Sequence, residues 1–316
     1  MFREKIKVLD CTIRDGGLIN NHDFSLDFVR DVYKAISASG VDYIELGYKN
    51  SKRLFSETEY GLWKFCEDET IEKVIDGVES KTKISVMVDV GRVDLDDVKP
   101  KKDSPVDMVR VACYVKDVDK AIVMVNHFAD KGYETTFNIM AISRDQGPDL
   151  DEALYQIEKE SKADVVYIVD SFGALYQEST EDLVKRFKNK LKTKEVGFHG
   201  HNNQQLAFSN TIEGIIHNAN YLDATIYGIG RAAGNCPLEL LMGFLKNPKF
   251  DIRPILDIIS KEFIPLRDKM EWGYIIPYAI AGMFNEHPKA AMAFRKTKDK
   301  EDYRKFYEQI RDVAAD

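Results

Sequence analysis

An eightfold alternation restricts what this chain can fold into more than any other feature. Short apolar, β-branched runs recur at 6–13 (IKVLDCTI), 42–46 (DYIEL), 83–90 (KISVMVDV), 107–115 (DMVRVACYV), 135–143 (TTFNIMAIS), 164–171 (DVVYIVDS), 195–201 (EVGFHGH) and 221–229 (YLDATIYGI). Most are nearly continuously apolar, as strands covered on both faces must be. Helical patterns fill the intervals at 25–40, 56–80, 117–132, 149–161, 179–192, 203–219 and 236–247, with 91–106 broken by Pro100 and Pro105. Strands alternating with helices predict a parallel sheet, and eight such units closed on themselves use roughly 250 residues. The expected fold is therefore α/β, a (β/α)8 TIM barrel over 1–247 with a C-terminal helical region over 248–316. An open doubly wound sheet is the competitor, but no GxGxxG follows the first strand.

Composition narrows the class of function. The chain carries 53 acidic and 45 basic residues, a formal net charge of -8. That balance argues against a dedicated nucleic-acid binder or a polybasic membrane anchor, while leaving room for a local basic site that takes a small anion. The opening MFREKIKVLD has no apolar core of a signal peptide, and YIIPYAIAGMF is too short to span a bilayer. Cys11, Cys66, Cys113 and Cys236 form no CxxC pair, so reduced thiols and a cytoplasmic location are expected.

In such a barrel the reactive groups sit at the C-terminal ends of the strands. The first strand ends DCTIRDGG, crowding Arg14 and Asp15 where the chain leaves the sheet, with Gly16 and Gly17 expected to free the backbone for a tight turn. The seventh ends His199-Gly200-His201. Residues i and i+2 share a strand face, so both imidazoles can reach one divalent ion. Asp15 supplies an anionic third ligand, because strands 1 and 7 are separated only by strand 8 around a closed barrel. The oxygen-rich remainder favours Mg²⁺ or Mn²⁺. After strand 8, YGIGRAAGN offers a glycine-rich loop and Asn235, either a further ligand or the N-cap of the next helix. Glu45 lies in an otherwise apolar strand and needs a basic partner, for which Arg14 is suited; Asp170 and Ser171 end strand 6 at the same rim. His127, His217 and His287 read as structural.

Together, DCTIRDGG, HGHNN and GIGRAAGN resemble the DRE-TIM metallolyase superfamily, the barrels related to HMG-CoA lyase. RDGGLINNHDFSLDFVRDVYKAISASGVDYIELG and WGYIIPYAIAGMF resemble the 4-hydroxy-2-oxovalerate aldolases within it. The resemblance implies metal ligation by Asp15, His199, His201 and Asn235, with Arg14 stabilising the charge of a metal-bound pyruvate enolate. Ser171 and Asp170 would lie against the oxo acid, with Glu45 and Tyr278 as further catalytic groups. It implies retro-aldol cleavage, or the reverse, of a 4-hydroxy-2-oxo acid. Its partners would be a 2-oxo acid and an aldehyde, in a homo-oligomer, and in that branch an aldehyde dehydrogenase takes up the product aldehyde.

Three other readings stay open. GRAAGN is similar to the ERAGN loop of isopropylmalate and homocitrate synthases, which condense acetyl-CoA with a 2-oxo acid, although RDGEQ and a long regulatory region are lacking. HMG-CoA lyase-like cleavage is a variant of that reading, and a degenerate barrel serving as a partner subunit is the third. The aldolases place a proton-transferring histidine three positions after the metal-binding aspartate, where this chain has Leu18. Tyr278, Tyr48, His22, Glu45 and metal-bound water are the alternatives.

Overall fold

In a computed structural model describing residues 3–314, eight parallel strands close in sequence order into a barrel. They are β1 (Lys7–Asp10), β2 (Tyr43–Tyr48), β3 (Lys83–Asp89), β4 (Met108–Cys113), β5 (Glu134–Ile139), β6 (Val165–Asp170), β7 (Glu195–Gly200) and β8 (Tyr221–Ala224). The seam is the pairing of β1 with β8, from Lys7 opposite Tyr221 to Asp10 opposite Ala224. Outward-facing Val, Ile and Phe side chains bury against the surrounding helices in one continuous core, the main favourable term in such a fold.

Those helices are α1 (Thr12–Gly16), α2 (Leu26–Ala38), α3 (Asp68–Ile75), α4 (Val118–Asp130), α5 (Pro148–Glu160), α6 (Gln177–Lys190), α7 (Ala207–Ile216) and α8 (Leu238–Leu245). Ser25 caps α2 through its hydroxyl, which accepts from Phe28 N–H at 3.2 Å. The helix expected over 56–80 is shorter than its periodicity suggests: a 3₁₀ turn at Leu62–Lys64 precedes α3. Cys66 between them takes a φ of 42°, which a continuous helix cannot hold.

Strand 1 is also shorter than 6–13. The Asp10 carboxylate accepts from Thr12 N–H (3.2 Å) and from the Thr12 hydroxyl (2.6 Å), turning the chain out of the sheet into α1. Gly16 and Gly17 therefore sit in or beside a helical turn, with Gly17 at a φ of −59°. Gly17 is needed for space rather than backbone freedom: a Cβ there would lie 2.3 Å from Nδ1 of His22.

The region after 247 divides in two. The helix α9 (Arg253–Ile258), the π turn Ile259–Phe263 and α10 (Ile264–Leu266) pack Ile255, Ile258, Ile259 and Phe263 into the barrel's own core. By contrast α11 (Ile276–Met283), α12 (Lys289–Phe294) and α13 (Tyr303–Ala314) form a satellite cluster with Ala232 and Ala233 of the loop after β8. That satellite leans on the C-terminal rim. No helix among the described residues is long and apolar enough to cross a membrane.

Candidate active site and metal centre

The one-turn helix α1 carries Arg14 and Asp15 over the barrel mouth, and the end of β7 brings His199 and His201 to meet them. Asp15 Oδ2 lies 3.4 Å from Nε2 of His199 and 3.8 Å from Nε2 of His201, and the three ligand atoms fit within 4.8 Å of one another. Ligands at about 2.1 Å from a shared cation sit about 3.0–3.4 Å apart, so the cluster would contract to hold one. His201 bridges to Asn235 through the backbone. The Asn235 side chain donates to Ile229 O at 3.1 Å, and its Oδ1 is buried without a partner. A buried amide oxygen left open beside three ligands is what a cation would satisfy. Asn235 is not a helix cap, because α8 begins after Pro237 and no side chain caps it.

The loop bearing Asn235 is pinned rather than loose. Asn235 N–H donates to Gly228 O and Asn202 N–H to Gly234 O. Gly230 is required for proximity, since a Cβ there would lie 2.2 Å from Asn235 Nδ2 and 3.2 Å from Asp15 Oδ1.

Asp15 and His201 are held in the protonation states metal ligation needs, whereas at His199 burial is outweighed by the Asp15 and Asp223 carboxylates, which raise its pKa. Burial pushes the Asp15 carboxyl up, but Arg14, His201 and His199 outweigh it and hold it well below the usual range. Burial drives His201 well below an ordinary histidine, so its ring is neutral. His199 Nδ1 donates to Asp223 Oδ2 at 2.9 Å, which fixes the tautomer and turns the Nε2 lone pair toward the cluster. Cys11 Sγ, 4.0 Å from the same Nδ1, faces a nitrogen already engaged.

Beneath the ligands runs a circuit of buried charge. Arg14 donates from Nη1 to Asp15 Oδ2 (2.7 Å) and from Nε to Glu45 Oε2 (2.7 Å). Arg110, in the middle of β4, donates from Nη1 to the same Glu45 oxygen (3.0 Å) and from Nη2 to Asp223 Oδ2 (2.6 Å). Asp223 returns to His199. The Arg110 guanidinium lies 4.3 Å from the centre of the Tyr167 ring, which fits only because residue 197 is glycine: a Cβ there would stand 2.6 Å from that ring. Three carboxylates and two guanidiniums leave the circuit with one negative charge in excess, which suits a site for a cation.

A cavity of about 90 Å³ adjoins the ligands and is lined by Arg14, Tyr48, Ser171, His199, His201 and Arg231, with Leu18 and His287 on the same wall. Larger is a surface groove of about 520 Å³ bordered by α4 and α5, which holds none of these groups.

Some expected site residues lie elsewhere. Tyr278 does not reach the cavity: its hydroxyl donates to Glu271 Oε1 at 3.0 Å, and its ring belongs to the satellite cluster. The Asp170 carboxylate accepts from the N–H groups of Ala174 (3.0 Å) and Leu175 (3.1 Å), closing the loop after β6. Burial raises its pKa to about 6, and the group does not line the cavity. Glu45 holds the two arginines and is likewise absent from the wall. Ser171 is on the wall, with Oγ accepting from Ala141 N–H at 2.8 Å. His22 is buried edge-on to Tyr48, ring centres 5.3 Å apart, behind the cavity. Sequence reasoning missed Arg110 and Asp223, whose signal was a lone charge inside an apolar strand. It also missed Arg231 and read His287 as structural.

Comparison with known proteins places the chain in a family. The HMGL-like family profile matches residues 5–259. A 4-hydroxy-2-oxovalerate aldolase of Thermus thermophilus is 31% identical, over 86% of this chain and 81% of its own length. One from Nocardia farcinica is 32% identical over 81% of this chain and 73% of its own. Among solved structures, the N-terminal domain of a candidate aldolase from Bacteroides vulgatus superposes with a TM-score of 0.78 at 31% identity, covering 94% of this chain and 99% of that one. The carboxyl transferase domain of Rhizobium etli pyruvate carboxylase shares the fold, with a TM-score of 0.70 at 13% identity, covering 96% of this chain and 55% of that one. The chain belongs to the HMGL-like family, and the 4-hydroxy-2-oxovalerate aldolases are among its relatives.

Proposed function

We propose that the protein is a divalent-metal-dependent carbon–carbon lyase, an aldolase that cleaves or forms a 4-hydroxy-2-oxo acid with pyruvate as the oxo-acid half. The observation that carries this reading is the convergence of Asp15, His199 and His201 beside Arg14 at the mouth of the barrel. A cation held there, with Asn235 as a further ligand, would supply Lewis acidity at the carbonyl, and the donor set suits Mn²⁺ or Mg²⁺.

In the cleavage direction the C3–C4 bond breaks and its electron pair moves to the C2 oxygen as an enolate. The C4 hydroxyl gives up its proton and becomes the aldehyde carbonyl; C3 then takes a proton to give pyruvate. Arg14 stabilises the developing negative charge, held rigidly by Glu45 and Asp15 so that little reorganisation is needed. Its second terminal nitrogen has no hydrogen bond to the described residues, and Arg14 lines the cavity. Ser171 borders the oxo-acid end.

The test is incubation with pyruvate, a panel of aldehydes and Mn²⁺ or Mg²⁺, read by mass spectrometry. Addition products should appear with metal and vanish with a chelator. Release of free thiol from acetyl-CoA with a 2-oxo acid, without aldehyde addition, would replace the aldolase reading by a Claisen condensation.

A further inference from the structure

Arg231 stands on the cavity wall with no carboxylate partner among the described residues. Its backbone N–H donates to Asp15 Oδ1 (3.2 Å) and its Nη2 to Ser171 O (2.8 Å), while its Nε is buried without any partner. Its Nη1 lies 3.4 Å from Nε2 of His287. The other nitrogen of that imidazole, Nδ1, accepts from Lys289 N–H at 3.1 Å. A neutral imidazole has one lone pair and one N–H. With Nδ1 accepting, Nε2 carries the hydrogen, so His287 and Arg231 present two donors to each other with no acceptor between them. Burial, then Arg231, Lys289 and Arg144, push His287 to about 4, which keeps the ring neutral near pH 7.

Both residues also border an outer chamber of about 420 Å³, beyond the metal end, whose wall includes Lys289, Tyr48, Tyr114 and Met140. The acidic groups on this wall are already engaged: Asp89 pairs with Arg92 at 3.1 Å and Asp117 with Lys120 at 2.7 Å. Arg231 and Lys289 are left without ion-pair partners among the described residues. A two-carbon aldehyde would leave most of this chamber, and both cations, without a counterpart. Arg231 is partly buried and its Nε wholly so, and taking a guanidinium nitrogen out of water is costly unless something pairs with it.

We propose that the aldehyde half of the substrate carries a second acidic group, a carboxylate or a phosphate, bound in the outer chamber by Arg231, His287 and Lys289. An anionic oxygen between Arg231 Nη1 and His287 Nε2 converts the opposed donors into a clamp. The favoured substrate is then a 4-hydroxy-2-oxo acid acidic at both ends, one end on the metal and Arg14, the other on the chamber wall. This inference rests on the aldolase reading above.

Two measurements separate the two claims. Exchange of pyruvate methyl protons with deuterium oxide, followed by proton NMR in the presence of Mn²⁺-free Mg²⁺, reports enolate formation without any aldehyde. Values of kcat/KM with pyruvate are then compared for succinic semialdehyde against butanal, and for glyceraldehyde 3-phosphate against glyceraldehyde. At least one acidic aldehyde should exceed its neutral counterpart by about 30-fold or more, as expected of a charge-assisted contact. Which pair shows the preference tells carboxylate from phosphate. Arg231→Met should reduce the preference to within about threefold, and Lys289→Ala, an exposed change that spares the fold, should reduce it by about three- to tenfold. Proton exchange with equal use of acidic and neutral aldehydes would overturn the clamp alone, as would a preference that survives both substitutions. Absence of exchange with any 2-oxo acid would overturn the enolate reading and the clamp with it.

Discussion

The two walls of the barrel mouth are built on opposite electrostatic plans. On the side supplied by β1, β2, β4, β7 and β8, every charge is spoken for: Asp15, Arg14, Glu45, Arg110, Asp223 and His199 hand hydrogen bonds from one to the next. On the side supplied by the loop after β8 and the satellite helices, Arg231 Nε has no acceptor, Arg231 Nη1 meets only the ring nitrogen of His287, and the Lys289 ammonium has no ion-pair partner among the described residues. The contrast separates two tasks. A closed circuit fixes ligand positions before anything binds, which is how charge stabilisation avoids reorganisation during reaction. An unanswered set of donors waits for an outside group, which is how one substrate is chosen over another.

The sharpest way to break the first wall is to remove a ligand. His199→Ala should abolish stoichiometric metal binding, measured by elemental analysis after dialysis, and lower turnover by about 10³-fold or more. Arg14→Ala should keep the metal but lose about 10²–10³-fold in kcat, the scale of one oxyanion donor. If it left kcat untouched, the enolate role assigned to Arg14 would fall. Arg110→Met leaves Glu45 and Asp223 facing each other across the barrel interior. It should cost about 3–5 kcal/mol in chemical denaturation, far more than a surface pair would.

Acid should loosen the same wall more gently. His22 is buried and its pKa is pushed down to about 3, by burial first and then by Lys64 and Arg14. A histidine depressed on folding contributes its full stability above the unfolded value near 6.5 and loses it as pH falls toward the folded value. About 2 kcal/mol should be gone by pH 5, and His22→Phe should flatten that part of the stability–pH curve. Smallest of all should be Tyr278→Phe. Its hydroxyl serves Glu271, so the expected cost is about 1 kcal/mol with kcat within a fewfold of the parent. A hundredfold loss would return Tyr278 to the reaction.

Much of the first wall could be read from the residues alone, and almost none of the second. Strands buried on both faces announce themselves by runs such as DVVYIVDS, and the i, i+2 spacing of His199 and His201 is local arithmetic on a strand. The pairing of Glu45 with Arg14 followed from the need to compensate a charge in an apolar strand. Arg110 was harder to place, because its partners lie 65 and 113 positions away and only barrel closure decides who meets whom. Arg231 sits in a glycine-rich loop whose hydrogen bonds pin it, which composition does not announce. His287 reaches the mouth only because α11 and α12 fold back over the rim, a tertiary event with no periodic signature. Tyr278 shows the reverse: it sits on a helix of the C-terminal region, and its hydroxyl turns toward Glu271 rather than the cavity.

The β1–β8 seam has a consequence for the order in which this protein can mature. Two candidate ligands come from the end of the seventh strand and one from just after the first, so the three-residue set would be assembled only when the barrel closes. An ion can be captured with full affinity only after the last strand has zipped against the first. Cation uptake would therefore come late, after the circle is complete.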